Sequence, residues 1–282
     1  MQIAYDRGRS SDAPPYPLGY SEREFARLQR QGEFLRDITE DMLRRAGIGP
    51  GMRVLDAGCG VGDVSMLAAA RVGPTGAVLG IDRSERSLDV ASQRAAAAGQ
   101  RWLRFQRAEL DTFEDGESFD ALVGRLVLLY LPDPAGALRK LCRHLRPCGI
   151  VAFQEMAMPL GRCVPDAPLY RQCVDWIVHT LARAGVETDM GARLPRIFRA
   201  AGLPAPQMLA LARVEAGGES PVYEYVAETV RTLLPLAQSV GVTSTEAADI
   251  DTLAERLRTE ALSFDTSIMP PPLIGAWTRL TA

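Results

Sequence analysis

The chain has 282 residues, 47% of them hydrophobic and 24% charged, enough for one large α/β domain carrying an insertion or for a domain with a small second one. Its longest apolar runs, such as residues 126–131, are far too short to cross a bilayer, and a net charge of −3 offers no general attraction to a phosphate backbone, so neither membrane nor nucleic acid is expected as a partner. Five cysteines, an odd number with no C-x-x-C pair, argue against both a disulfide framework and a zinc site.

The opening stretch MQIAYDRGRSSDAPPYP lacks the apolar centre of a secretory signal, and a cytoplasmic protein is expected. Ser21 offers a capping residue with Glu24 three places on. Phe25, Leu28, Leu35, Ile38, Met42 and Leu43 then recur at helical spacing, predicting an N-terminal helical cap over residues 1–49, ended by Gly47 and Pro50. From Met52 short apolar runs alternate with helical stretches: MRVLDA, a helix from Asp63, AVLGID, the helix SERSLDVASQRAAAA, RWLRFQ, SFDALVG, the helix DPAGALRKLCRHLR and GIVAFQEM. This alternation predicts a doubly wound, mostly parallel α/β sheet buried on both faces. Lys140, in the last of these helices, is the only lysine, so a pyridoxal Schiff base has no anchoring site. Beyond Glu155 come helical stretches at residues 170–184 and 194–201, a strand-like QMLALARVEA, helical segments at 222–240 and 247–264, and a final strand-like LIGAWTRL. The domain reading is an α/β domain over residues 50–215, a helical lid inserted over 216–265, and a last strand in 266–282 that returns to complete seven strands.

The segment Val54-Leu55-Asp56-Ala57-Gly58-Cys59-Gly60-Val61-Gly62-Asp63 ends a strand, makes a glycine-rich turn and opens a helix. Glycines there let a ligand approach the main chain. Asp82 ends the next strand about twenty residues on, where a carboxylate can accept from both hydroxyls of a ribose. Together they indicate an adenosine-containing cofactor. A dinucleotide pyrophosphate needs the positive end of the helix clear, and Asp63 would repel it, as would Asp56. The same carboxylates suit the α-amino group and sulfonium of S-adenosylmethionine. Asp63 also has a plain reading as an N-cap.

The run VLDAGCGVGD, then GID, then FDALVGRLVLLYLPDPAGALRKLCRHLRPCGIVAF resembles the class I S-adenosylmethionine-dependent methyltransferase superfamily over about residues 50–155. PLGYSEREFARLQRQ and MGARLPRIFRAAGLPAP are similar to bacterial small-molecule methyltransferases of secondary metabolism. The resemblance implies that Gly58, Cys59 and Gly60 present main chain to the methionine half, Asp82 holds the ribose, Arg83 lies near the adenine, and Ala108 and Glu109 meet the adenine edge. The family often has Asp where this chain has Arg107, which shifts that contact to Glu109. Arg125, after the fourth strand, is implied near the methionine end. Its guanidinium replaces both the Asn/Asp-Pro-Pro-aromatic run of amino methyltransferases and the carboxylate cluster of Mg²⁺-dependent catechol enzymes, so no metal is expected.

Methyl transfer from a sulfonium needs chiefly the alignment of acceptor and methyl. For a hydroxyl acceptor a base would help, and the candidates are His179, Glu155, Tyr20 and Tyr130. His144, among Arg143 and Arg146, reads as a surface residue. His179 lies on a helix expected to border the acceptor, and Glu155 at a strand end where α/β sheets bind ligands or where it pairs with an arginine. The helical segments outside the nucleotide site, about residues 16–31 and 222–264, are expected to form a lid over a small-molecule acceptor. Tyr20 would lie over the methyl group and Gln31 would reach the methionine end, unless both only pack on Phe25 or Phe34. Two competing readings are an NAD-linked oxidoreductase and a methyltransferase-like protein that binds the cofactor without transferring methyl. Association into a homodimer is left open.

Overall fold

The computed structural model describes residues 16–116 and 118–281; most of the opening stretch behind the cytoplasmic expectation lies outside them. The amide of Glu24 donates to the Ser21 side chain at the start of α1 (Glu22–Phe34). Only half of the capping box forms, because the Glu24 side chain turns to Arg27. Leu35 leaves helical geometry and begins α2 (Arg36–Ala46), so the predicted single run is two helices. Buried Leu35 keeps the apolar spacing continuous across the break, which hides it in the sequence. Gly47 ends α2 at a φ of 89°, a conformation glycine adopts without steric cost.

Strands and helices then alternate as predicted: β1 (Arg53–Ala57), α3 (Asp63–Val72), β2 (Ala77–Asp82), α4 (Glu85–Ala97), β3 (Leu103–Arg107), β4 (Phe119–Arg125), α5 (Pro134–Leu141) and β5 (Leu145–Met156). Helix α5 is shorter than its amphipathic pattern, since Leu145 is already paired with Phe119 in the sheet. A 3₁₀ turn at Cys142–His144 joins the two elements. This turn corrects the surface reading of His144: the ring is buried 4.8 Å from that of Phe113, with Nε2 3.1 Å from the Phe113 carbonyl.

The rest comprises β6 (Arg162–Val164), α6 (Pro168–Arg183), α7 (Met190–Ala200), β7 (Gln207–Leu211), α8 (Val222–Ser239), α9 (Thr245–Ala248), α10 (Leu253–Ser263), β8 (Ser267–Met269) and β9 (Leu273–Arg279). The segment predicted as one helix over 247–264 is thus two, interrupted near Asp249 at a φ of 39°. Strands β6 and β8 pair in a small separate sheet, too short to leave a period in the sequence.

The main sheet has seven strands in the order β3-β2-β1-β4-β5-β9-β7, and β9 runs antiparallel to both of its neighbours. The helices of the C-terminal third enter between β7 and β9, and the last strand does return to the sheet. Alternate strand residues serve the two faces: Val54, Val78, Ala121 and Ile150 join one buried cluster, and Leu55, Leu79, Leu122 and Val151 the other. Each such side chain contributes roughly 1.5–3 kcal/mol by leaving water. Helix α8 packs on α6, α10 and α1. Among the described residues no helix is long and apolar enough to cross a membrane.

Candidate active site

Strand β1 lies between β2 and β4, so successive crossovers leave in opposite directions and open a crevice at the carboxyl ends. A cavity of about 460 Å³ occupies it. Its floor is the turn after β1, where Gly58, Gly60 and Gly62 have φ of 66°, 52° and 87°. A Cβ on Gly60 would meet nothing within 4 Å, so this main chain stands open to a ligand. Gly58 differs: a Cβ there would come within 2.3 Å of Val127 Cγ2. The need for glycine at position 58 therefore comes from the protein's own side chain as well as from any ligand.

Asp82 braces the turn, accepting from the Gly60 amide (2.9 Å) through Oδ2 and from the Ser84 amide (2.8 Å) through Oδ1. Burial raises its pKa, opposed by those bonds. A carboxylate offers about four acceptor positions, and with the Arg83 amide also directed at it capacity remains for a further donor. Arg83, Ala108 and Glu109 line the same side. Arg107 is exposed, 3.8 Å from the Glu85 carboxylate. Tyr20 belongs to this side too, because Arg83 Nε donates to its hydroxyl at 3.0 Å; the sequence had placed it over the transferred methyl.

Next to the turn lies a charged group. Asp56 is buried, accepts from Ser65 Oγ at 2.6 Å, and is pushed up to about 7 by burial against the opposing effects of Ser65 and Arg125. Asp63 occupies the first turn of α3, but the cap residue is Gly62, which corrects the N-cap reading. Its carboxylate is 2.7 Å from Arg94 and 4.0 Å from Arg125. Helix α1 makes room for it at Gly32, where a Cβ would sit 2.3 Å from Asp63 Cγ. Arg125 is buried, with Nη1 donating to Thr39 Oγ1 at 2.9 Å; burial lowers its pKa, and Asp63 and Asp56 oppose that. Cys59 lines the turn with its thiol pKa raised well above normal by burial.

The opposite wall comes from α1, α6 and α8. Arg27 donates twice to the fully buried Glu24 carboxylate, at 2.7 Å each, and once to Gln31 Oε1 at 2.5 Å. Burial opposes the Arg27 charge, yet the Glu24 bonds raise its pKa overall. The Tyr16 hydroxyl donates to Glu24 at 3.1 Å, and its ring meets that of Tyr130 edge-on at 5.1 Å. Tyr225 of α8 lines the cavity with its ring stacked on Phe34 at 4.6 Å. Sequence reasoning placed Gln31 at the cavity but missed Glu24, Arg27 and Tyr225. Polar residues spaced three and four apart on a helix ordinarily mark a solvated face, so their pattern gave no signal.

Two proposed bases are not brought to the cavity. Helix α6 does border it through Val174, Ile177, Val178 and Leu181. His179 is exposed instead, with Nδ1 2.7 Å from the Asp175 carbonyl, because two residues past Ile177 a helix has turned about 200°. Glu155 is buried behind the loop after β4, accepting through Oε1 from the amides of Val127 (3.0 Å) and Leu128 (2.8 Å). It pairs with no arginine among the described residues. Burial pushes it up to about 8, opposed by these amide bonds.

Comparison with known proteins bears on the family and the fold. Residues 48–202 match the family described as methyltransferase domain. That match spans more than half of the chain. The chain belongs to this methyltransferase-domain family, within the class I S-adenosylmethionine-dependent superfamily. A demethylmenaquinone methyltransferase of Staphylococcus aureus is 36% identical over 118 residues, 42% of this chain and 48% of the relative; the chain thus spans about half the length of the curated relatives it matches. Among solved structures, a putative methyltransferase from Bacillus halodurans aligns with a TM-score of 0.57 at 14% identity, over 86% of this chain and 99% of the other. The [4+2]-cyclase SpnF aligns at 0.50 and 17% identity, over 87% and 82%. At such identities these structures bear on the fold alone, and the methyltransferase-domain fold is the one they share with this chain.

Proposed function

We propose that this protein transfers a methyl group from S-adenosylmethionine to a small, largely apolar acceptor, a secondary metabolite, without a metal. The observation that carries the reading is the single cavity joining an open glycine turn and buried carboxylates at the strand ends to an apolar compartment under α6 and α8. The bound cofactor would supply an electrophilic methyl on a cationic sulfur. Gly60 offers open main chain for its methionine half, beside Cys59 and Gly58. Asp56, Asp63 and Arg125 carry the charges that answer its amino and carboxylate groups, with Gln31 across from them. Asp82 is suited to the ribose, and Arg83, Ala108 and Glu109 to the adenine.

The chain's own task is alignment and exclusion of water. Helices α1, α6 and α8 cover the strand ends and set acceptor choice. With His179 on the outer surface and Glu155 behind a loop, neither serves as base in this reading, and Tyr20 is occupied by Arg83. The proposed partner is a free small molecule, neither nucleic acid nor membrane, in a cytoplasmic setting. Calorimetry should give micromolar or tighter binding of S-adenosylhomocysteine and none of NAD, and labelled methyl should pass to members of an apolar metabolite panel. Binding without transfer across a broad panel would favour a non-methylating reaction, the second reading.

A further inference from the structure

The carboxylates that line the cavity, Asp56, Asp63, Asp82, Glu109, Asp111 and Asp133, all belong to the strand ends, the loops beside them and the first turn of α3. None comes from α1, α6 or α8. The polar groups that the covering elements present are instead neutral ones and one guanidinium: the phenols of Tyr16, Tyr170, Tyr225 and, from the loop after β4, Tyr130, with the Gln31 amide, the Thr229 hydroxyl and Arg27. Glu24, the carboxylate behind them, is taken up by Arg27 and Tyr16. An ammonium acceptor would find no answering charge here. Nor does a free base face this compartment.

Tyr225 of α8 lines this compartment. Its hydroxyl makes no hydrogen bond among the described residues; its backbone is in use, the amide donating to the Pro221 carbonyl and the carbonyl accepting from Thr229 Oγ1. The ring is fixed from behind, stacked at 4.6 Å on Phe34, which in turn lies under the Arg213 guanidinium at 4.7 Å. Arg27, on the covering side, and Arg125, on the cofactor side, line the same cavity as this ring. A fixed donor in a cavity that also holds two buried guanidiniums is a setting for an oxyanion.

We infer that the acceptor is an oxygen acid, an acidic phenol or a stabilised enol, bound as its anion, and that the Tyr225 hydroxyl donates a hydrogen bond to that oxygen. This rests on the methyl-transfer reading above. The acceptor's proton goes to water before binding, so no base is required of the chain. The anion's electron pair then closes on the methyl carbon, through oxygen or the conjugated carbon, while the methyl–sulfur bond breaks and its pair stays on sulfur. Cation and anion give two neutral products.

The test uses 4-phenyl-2-nitrophenol, whose ionisation is visible as a colour change, with 3-nitrobiphenyl as the partner lacking the hydroxyl, both titrated into protein saturated with S-adenosylhomocysteine. The bound phenol should ionise at least one pH unit below its value in solution. Its anion should bind at least tenfold tighter than 3-nitrobiphenyl. Tyr225→Phe should remove about tenfold of the anion's affinity and leave 3-nitrobiphenyl and S-adenosylhomocysteine within twofold. A bound phenol that stays neutral, a phenol that does not bind, or a phenylalanine variant that holds the anion as tightly as the parent would each overturn the inference. Failure of the parent protein to bind S-adenosylhomocysteine would instead strike the methyl-transfer reading itself.

Discussion

Where β1, β2 and β4 end, the cavity wall is main chain and carboxylate, tied by short bonds such as those from the Gly60 and Ser84 amides to Asp82. Across from it, α1, α6 and α8 present side chains on helices that pack mainly on one another. The first wall depends on backbone angles that few residues adopt, so it tolerates little change. The second depends on which side chains occupy a helix stripe, and it can be varied residue by residue without moving the sheet. A protein divided this way can keep its cofactor while changing its acceptor.

The sharpest way to break that contrast is Gly58→Val. A β-branched residue at a φ of 66°, with its Cβ 2.3 Å from Val127, should cost about 2–4 kcal/mol of stability by overpacking and backbone strain and abolish binding of S-adenosylhomocysteine. Denaturant unfolding and calorimetry would measure both; a stable variant with normal binding would mean that the turn is not the rigid wall described. Next in size, Asp82→Ala should weaken S-adenosylmethionine binding by about 1–3 kcal/mol, the range for lost charge-assisted bonds, in a protein that still folds. Unchanged calorimetric affinity would remove Asp82 from the ribose.

Glu155 sharpens the comparison from behind the wall. Its folded pKa of about 8 lies above an ordinary glutamate value of about 4.3, so between these values the folded protein keeps a proton that the unfolded chain has released. Stability should therefore fall as pH rises through that window and level off beyond it. Asp56, at about 7, contributes the same sign at the lower end. Glu155→Gln keeps the acceptor oxygen for the loop amides and cannot ionise, so the variant should exceed the parent by about 1–3 kcal/mol at pH 9 and by much less at pH 5. Equal unfolding curves for both proteins at pH 9 would contradict the assigned burial. The smallest effect belongs to His179→Ala, where an exposed side chain outside the cavity should leave turnover and its pH profile within twofold; loss of the acidic limb, where a base becomes protonated, would restore His179 as the base.

The two walls also differed in how far they could be read in advance. Asp56, the glycine turn and Asp82 were legible because strand, turn and helix follow one another in the chain, and their spacing places them at one edge of the sheet; Arg125 came only from the resemblance to the methyltransferase superfamily. The covering wall joins residues far apart in sequence: Arg23 pairs with Glu228 at a separation of 205 residues, and Phe34 stacks on Tyr225. No local period records such contacts. His179 was placed on the correct helix but on the wrong side of it, since apolar neighbours fix which stripe turns inward only once the packing partner is known.

The seat of the Asp63 carboxylate against Gly32 works as an index mark between two elements that are otherwise joined by soft packing. Sliding α1 by one residue would turn it by about 100° and bring a side chain of Gln31 or Glu33 onto that carboxylate. Insertions or deletions in this helix are therefore confined to either end of it, and a replacement cap grafted from another protein would engage the turn only if a glycine arrived at the same point.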